Sequence, residues 1–204
     1  MNPHADRKIA GAILITAGLV GLALLPSLLM PRLQGVATMA EAEKVASDYL
    51  SSLNNKDLAI DEIIEFTQNF YVVYYEKSTG MGAFEMIIDK PGTGGMMMDV
   101  WGSGTIRPEQ GPDMMWNTKY GGMMVPSPGK ATITEDQAKA LAQKYIDTYM
   151  AGGKIEDVHM FYGYYAVHIE KDGRIYGMLS VNAYNGEVWY HNWHGAYIQT
   201  VEMK

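Results

Sequence analysis

The chain of 204 residues contains no cysteine. Disulfides, thiolate metal sites and cysteine nucleophiles are therefore all excluded, and the cellular compartment cannot be inferred from redox chemistry. Basic residues are also scarce, because 16 Lys and Arg face 23 Asp and Glu and leave a formal net charge of −7. Phosphate contacts need clustered Lys and Arg, and the sequence has no basic run. We therefore exclude nucleic acid from the expected partners.

Motifs of catalysis and nucleotide binding are absent as well. The sequence has no G-x-S-x-G nucleophile elbow, no P-loop and no G-x-G-x-x-G turn after a strand. The acidic pairs Asp61-Glu62 and Glu135-Asp136 are expected at helix starts, where the helix dipole favours negative charge. We therefore predict a protein that is not an enzyme and has no catalytic residues.

A run of 22 residues without charge, 9–30, lies near the N-terminus. As a helix it would be about 33 Å long, enough to cross the hydrocarbon core of a bilayer. Arg7 and Lys8 precede it, so the positive-inside rule predicts a cytoplasmic N-terminus with the rest of the chain outside the cytoplasm. A cleaved signal peptide is the alternative, but its apolar region is shorter, about 7 to 15 residues. Ala17 and Gly21 form a small-xxx-small pair that would allow a partner helix to approach closely.

Beyond this predicted anchor, the same helical pattern occurs twice. Residues 42–50, AEKVASDYL, align with residues 138–146, AKALAQKYI, and both place apolar side chains on one face of a helix. A capping-box pattern precedes each helix, with Thr38 and Glu41 in the first copy and Thr134 and Gln137 in the second.

Stretches rich in aromatic and β-branched residues follow each helix, as is typical of strands. FYVVYYEK in the first copy aligns with YYAVHIEK in the second. Strands are expected at 70–77, 83–89, 164–171, 175–182 and 187–193. The order predicts an α+β fold in which two repeated units each pack a helix on a small antiparallel sheet. The expected organisation is an N-terminal region and anchor at 1–32, a first unit at 33–90, a connector at 91–130 and a second unit at 131–204.

The second unit resembles the PepSY domain over roughly 131–193. The resemblance is carried by the capped, alanine-rich helix, the YYAVHIEKDGR strand and turn, and the ending VNAYNGEVW. The first unit, about 37–100, is a more diverged match that lacks this ending. The resemblance implies a domain that binds or inhibits a partner such as a protease, and it implies no catalytic residues.

The connector 91–130 is rich in methionine, glycine, proline and tryptophan. A connection of this length is either functional or disordered, and its apolar content argues against disorder. We leave three interpretations open: a docking surface, packing between the units, and a soft-metal site for Cu(I) or Ag(I), which thioether sulfur suits. The residues concerned are Met96, Met97, Met98, Trp101, Met114, Met115, Trp116, Tyr120, Met123 and Met124.

Two histidines near the C-terminus are the other candidate metal ligands. His191 and His194 lie three residues apart and could share an ion if the chain turns there, which Gly195 would permit. The sequence shows no third ligand for them, although Met114, Met115, Met123 and Met124 are candidates in the soft-metal interpretation. His168 has an alternating strand position and is expected to be an ordinary hydrogen-bonded histidine of a sheet.

These observations together predict a single-pass membrane protein with its bulk outside the cytoplasm. Its expected role is non-catalytic binding, as an accessory or regulatory subunit that contacts another membrane or extracytoplasmic protein. No cofactor is expected in that role. A Cu(I) handling protein and a protease inhibitor of the PepSY type are the two alternatives.

Overall fold

The structure, a computed structural model, describes residues 36–93, 106–121 and 131–204. Three helices and nine strands occur in these ranges. The helices are α1 (Met39–Ser52), α2 (Asp113–Trp116) and α3 (Glu135–Tyr149). The strands are β1 (Leu58–Phe66), β2 (Asn69–Glu76), β3 (Gly82–Asp89), β4 (Ile106–Pro108), β5 (Lys154–Met160), β6 (Tyr164–Lys171), β7 (Arg174–Asn182), β8 (Val188–Tyr190) and β9 (Tyr197–Glu202).

Both long helices begin at the capping boxes that the sequence predicts. The Thr38 hydroxyl accepts from the Glu41 N–H, and the Glu41 carboxylate accepts from the Thr38 N–H in return. Thr134 and Gln137 make the same reciprocal pair at the start of α3. Each cap satisfies two of the N–H groups that a helix start leaves without intrahelical partners, and a cap of this kind stabilises a helix by about 1 kcal/mol.

The strands form two antiparallel sheets. The first sheet has the order β4-β3-β2-β1-β9, and the second has the order β5-β6-β7-β8. The C-terminal strand β9 therefore leaves the second sheet and pairs with β1, with Ile63 opposite Val201. Residues 35–204 form one compact unit as a result.

The two sheets pack face to face, and each carries a helix on its outer face. In β2, Phe70, Val72 and Tyr74 pack against α1, whereas Tyr71 and Val73 face the second sheet. The second sheet is arranged in the same way, with one face on α3 and the other on the first sheet. Because both faces of each sheet are covered, the central strands are buried almost continuously instead of alternating between water and core.

The α+β fold class and the two antiparallel sheets are thus confirmed. The predicted anchor, with Ala17 and Gly21, lies outside the described residues. In 36–93, 106–121 and 131–204, none of the helices has the length and hydropathy that a membrane span requires. One expectation is wrong, because Asp61-Glu62 lies inside β1 and not at a helix start.

Candidate metal centre

Ionisable side chains are buried in and around the layer between the two sheets. An ionised group in such a place is costly unless it is paired or binds a metal. The side chains packed between the two sheets in this region are mainly aromatic and aliphatic. The buried ionisable residues of this region are Glu62, Glu85, Glu109, Asp113, His168, His191 and His194.

Two irregular segments meet at one edge of this layer. Glu109 follows the edge strand β4, and its N–H donates to the Glu85 carbonyl over 3.1 Å, which extends the pairing of β3 with β4. His191 continues from β8, and its N–H donates to the Met178 carbonyl over 3.0 Å. The chain then turns towards β9 at Gly195, whose φ of 80° lies in the left-handed region that glycine tolerates.

This arrangement places one carboxylate between two imidazoles. The Glu109 Oε1 atom lies 3.4 Å from His194 Nε2 and 3.8 Å from His191 Nδ1. The three ligand atoms all lie within 4.8 Å of one another. Bonds of about 2.0–2.1 Å in a tetrahedral site separate ligand atoms by about 3.4 Å, so a small inward movement would suit a metal ion.

Hydrogen bonds fix the proton of His194 on the nitrogen that faces away from Glu109. The His194 Nδ1 atom lies 2.9 Å from the Asn69 Oδ1 atom. The Asn69 amide is oriented by its own Nδ2, which donates to the Trp193 carbonyl over 3.1 Å. An amide oxygen can only accept, so Nδ1 carries the hydrogen and Nε2 presents a lone pair to Glu109. Such support of the far nitrogen is typical of histidines that bind metals.

Polar groups also lie beside the ring nitrogen of His191 that faces away from Glu109. Its Nε2 atom lies 3.0 Å from the Ser180 hydroxyl and 3.2 Å from the Asp113 Oδ2 atom. The Ser180 hydroxyl can donate or accept, and the Asp113 oxygens form no hydrogen bond within the described residues, so these contacts place the ring without assigning its proton. The Trp193 ring stacks on the imidazole, with centroids 4.9 Å apart, and restricts its rotation. His194 therefore points an unprotonated nitrogen at the carboxylate, and His191 Nδ1 lies beside the same carboxylate oxygen.

Several of these atoms are buried without a hydrogen-bond partner in the part of the chain that the structure describes. They are Glu109 Oε2, both carboxylate oxygens of Asp113, His191 Nδ1 and His194 Nε2. Leaving such groups unsatisfied costs about 1–3 kcal/mol each, and native proteins rarely do so. The convergent atoms are acceptors, so a cation is the species that would satisfy them together.

Burial also changes the acid–base state of the cluster in the metal-free protein. It raises the pKa of Glu109 well above its usual value, and the charge of Asp113 adds to this effect. It lowers the pKa of His194 well below its usual value, with His191 contributing. Burial likewise raises the pKa of Glu85, which accepts from Tyr71 and Tyr164, to about 8. In the unliganded site, burial therefore favours the protonated form of Glu109 and the neutral form of His194.

The structure brings together only part of the predicted site. His191 and His194 do meet, with ring centroids 5.7 Å apart. Met114 instead lines a pocket on the α1 side of the first sheet, together with Tyr120. Met115 is 48% exposed. Met96, Met97, Met98, Trp101, Met123 and Met124 lie outside the described residues.

The remaining connector residues have structural contacts. Trp116 packs against the apolar side chains between the sheets. Tyr120 donates to the Glu76 carboxylate, which also accepts from Lys119 and from Tyr162. These contacts hold residues 106–121 against the first unit and so position Glu109.

Glu109 and Asp113 are the residues that sequence reasoning missed. Both lie in the segment PEQGPD of the connector, where glycine and proline restrict the backbone. The methionines of the connector do not indicate these two acids. The expectation for His168 is also incomplete, because its Nε2 atom has no hydrogen-bond partner within the described ranges.

Comparisons with known proteins do not identify the site. No family model matches the chain, and no curated protein matches it. Among solved structures it matches the Bacillus megaterium YpeB C-terminal domain, with 12% sequence identity and a TM-score of 0.28. The match covers 77% of this chain and 62% of that one, so this chain spans less than two thirds of the neighbour's length. A TM-score this low does not establish a shared fold.

Proposed function

We propose that this protein binds a divalent first-row transition metal through Glu109, His191 and His194. The observation that carries the proposal is the convergence of His191 Nδ1 and His194 Nε2 on one buried carboxylate, with polar groups behind each imidazole. Asn69 supports His194, and Asp113 with Ser180 supports His191. Two histidines and one carboxylate are a frequent zinc ligand set, and we take Zn²⁺ as the reference ion.

The ligand types favour Zn²⁺ and its neighbours over Cu(I) or Ag(I). Imidazole and carboxylate suit Zn, Fe, Ni and Cu(II), whereas the soft ions prefer thioether sulfur. Met114 lies on the opposite face of the first sheet from His191 and His194, so it does not complete their site. The soft-metal interpretation stays a prediction for the methionines outside the described residues.

A binding role fits this site better than a catalytic one. Glu109 is 4% exposed and the two histidines are 2% exposed, which leaves a substrate little access to an ion between them. Catalytic metal sites keep an open position, while structural sites are enclosed. We propose that the ion fastens the connector to the segment that joins the two sheets. The predicted membrane anchor would place this metal-dependent unit at the outer face of the membrane.

The PepSY resemblance remains part of the proposal. Each unit has the order of a capped helix followed by antiparallel strands, which is the arrangement that the resemblance implies. We propose that two PepSY-like units here use a metal at their contact. Binding or inhibition of a protease by the outer surface of the protein stays an alternative prediction.

Metal titration of the full-length protein tests the proposal. The protein is extracted in mild detergent, stripped with a chelator and titrated with Zn²⁺. We expect a tight site whose zinc affinity falls at least about 100-fold in His194→Gln. Loss of a hydrogen-bond partner outside the ligand set already lowers metal affinity about 10–100-fold, and loss of a ligand should lower it at least as much. Glu187→Gln, an exposed acidic position, is the matched control. Equal zinc affinity in the wild type and in His194→Gln would reject this function.

An accessory docking role is the second candidate. The observation that favours it is a half-open apolar cavity of about 290 Å³ beside Met114 and Tyr120, with Leu53 at its rim. We propose that it receives an apolar side chain of a membrane partner. Leu53→Glu should release a partner that co-purifies with the full-length protein, while Ile198→Glu, at another exposed apolar position, on β9, should not. Retention of the partner by both variants would remove this cavity from consideration.

A further inference from the structure

A second group of potential ligands lies outside the site described above. The Glu62 Oε1 atom is 3.3 Å from His159 Nε2 and 3.5 Å from His168 Nε2. The two imidazole rings have centroids 5.0 Å apart. The Asp157 Oδ2 atom lies 3.3 Å from the same His159 nitrogen. A carboxylate and two histidines again converge, this time from β1, β5 and β6.

Two of the strands that supply these residues, β1 and β5, have an irregular backbone beside the site. The pairing of β1 with β2 shifts between Ile60 and Glu62, which leaves Asp61 as an extra residue. The pairing of β5 with β6 shifts between Ile155 and Asp157. Bulges re-aim side chains and are frequent beside functional sites. Here they accompany the burial of an acid pair, Asp61-Glu62, inside a strand.

The inner atoms of this group have no other partner. Glu62 Oε1 and His168 Nε2 are buried and lack hydrogen bonds within 36–93, 106–121 and 131–204. Glu62 and His168 are 4% and 3% exposed. One proton on the carboxyl group could join it to only one of the two imidazoles. A cation among the three side chains would satisfy all of them.

The outer side of the group is acidic and open to solvent. Asp61, Glu156, Asp157 and Glu202 all act on Glu62 through their negative charge. Among the described residues, Lys204 is the cationic side chain that contacts these acids, and its Nζ lies 3.2 Å from Asp61 Oδ1. The side chain of His159 is 17% exposed and that of Asp157 is 64% exposed. An ion could therefore reach this position through a negatively charged opening.

We propose that Glu62, His159 and His168 form a second divalent transition-metal site, with Asp157 at its entrance. This site exchanges its ion faster than the enclosed site at Glu109, because His159 and Asp157 are accessible to water. It does not depend on the proposed function, since the two sites share none of their ligands. Tyr71 contacts both sites edge-on, with centroids 6.5 Å from His168 and 5.5 Å from His194.

The test counts zinc ions on the full-length protein in detergent and measures their release. Native mass spectrometry of the wild type after zinc loading should show two ions. His159→Gln should retain one ion and lose the one that a chelator removes faster, while His194→Gln should lose the slower one. Asp157→Asn, at an exposed position, should weaken zinc binding at the faster site at least about 10-fold. Glu187→Gln should bind as the wild type does.

The outcomes separate this site from the one at Glu109. Two ions in His159→Gln and in Asp157→Asn, released at wild-type rates, would overturn the second site whatever His194→Gln does. A single ion in the wild type that only His194→Gln removes would also overturn it and would leave the proposed function standing. A single ion that only His159→Gln removes would support this site and reject the proposed function.

Discussion

Glu109→Gln is expected to have different effects in the metal-free and zinc-loaded protein. In the metal-free protein, Glu109 keeps its proton when folded but loses it on unfolding at neutral pH, because burial raises its pKa well above the ordinary 4.5. The folded state then binds more protons, so its stability falls by about 1.4 kcal/mol for each pH unit above 4.5. This amounts to as much as about 3 kcal/mol at pH 7.

Glutamine removes that cost. It stays neutral, and its oxygen can still accept from Trp193 at the position of Oε1, the atom that also faces His191 and His194. The metal-free variant should therefore be up to about 3 kcal/mol more stable than the wild type at pH 7, with the gain vanishing near pH 4.5. The measurement is urea unfolding followed by tryptophan fluorescence, in detergent and with a chelator present.

Zinc should affect the two proteins unequally. An ion at 100 times its dissociation constant stabilises the wild type by about 2.7 kcal/mol. If loss of the carboxylate weakens binding 100-fold, the same zinc concentration stabilises Glu109→Gln by only about 0.4 kcal/mol. Glu187→Gln should match the wild type in both conditions. A Gln variant that is less stable without metal and keeps the full zinc effect would refute the reasoning, because Glu109 would then be an ordinary hydrogen-bonding acid.

Two further predictions concern pH and the turn at the site. The stability of the metal-free protein should fall as pH rises from about 6.5 to 8, by about 2 kcal/mol for each carboxyl group with a pKa near 8, because Glu62 and Glu85 are protonated only in the folded state. His168 and His194, which are neutral when folded, oppose this fall only near pH 6.5. Urea midpoints across this range check it, and a flat or rising profile would contradict it. Gly195→Ala should weaken zinc binding at least about 10-fold, as loss of an outer-sphere partner does, because a Cβ there would lie 2.2 Å from Thr67 Oγ1 at a φ of 80° and would displace the neighbouring His194. Calorimetric titration measures this effect, and unchanged affinity would show that the turn does not position the histidine.

Local patterns in the sequence were enough to predict the two long helices and the strands β2, β3, β6 and β7, but not the inner strand β1. The apolar periodicity and the capping residues depend on neighbours within four positions, so Thr38 and Thr134 could be assigned directly. The repeat then indicated that each helix packs on its own sheet, as the structure confirms. The face-to-face packing of the two sheets could not be predicted in this way, because nothing local distinguishes an inward-facing strand surface from an outward-facing one.

The candidate sites depend on contacts between distant parts of the chain. Trp193 and Glu109 are 84 positions apart and meet only because β9 returns to the first sheet. The short strand β4 holds Glu109 beside β3, and no periodic pattern marks a strand of three residues. The sequence predicts Asp61-Glu62 at a helix start because the helix dipole favours negative charge there. Its burial makes sense only once His159 and His168 are known to face it.

Both clusters combine a carboxylate from the first sheet with at least one histidine from the second, while His194 is held against the first sheet by Asn69 and Phe66. Glu62 lies on β1 and Glu109 follows β4, both in the first sheet, whereas His159 and His168 lie on the second sheet and His191 extends β8. Neither half alone contains a complete ligand set. Metal affinity therefore requires the two units to pack correctly, and by linkage a bound ion stabilises that packing. If the surfaces between the two units were entirely apolar, the packing of the units would not depend on metal. The proposed ions would add to the apolar packing that already joins the two sheets, so metal supply would change the stability of that contact.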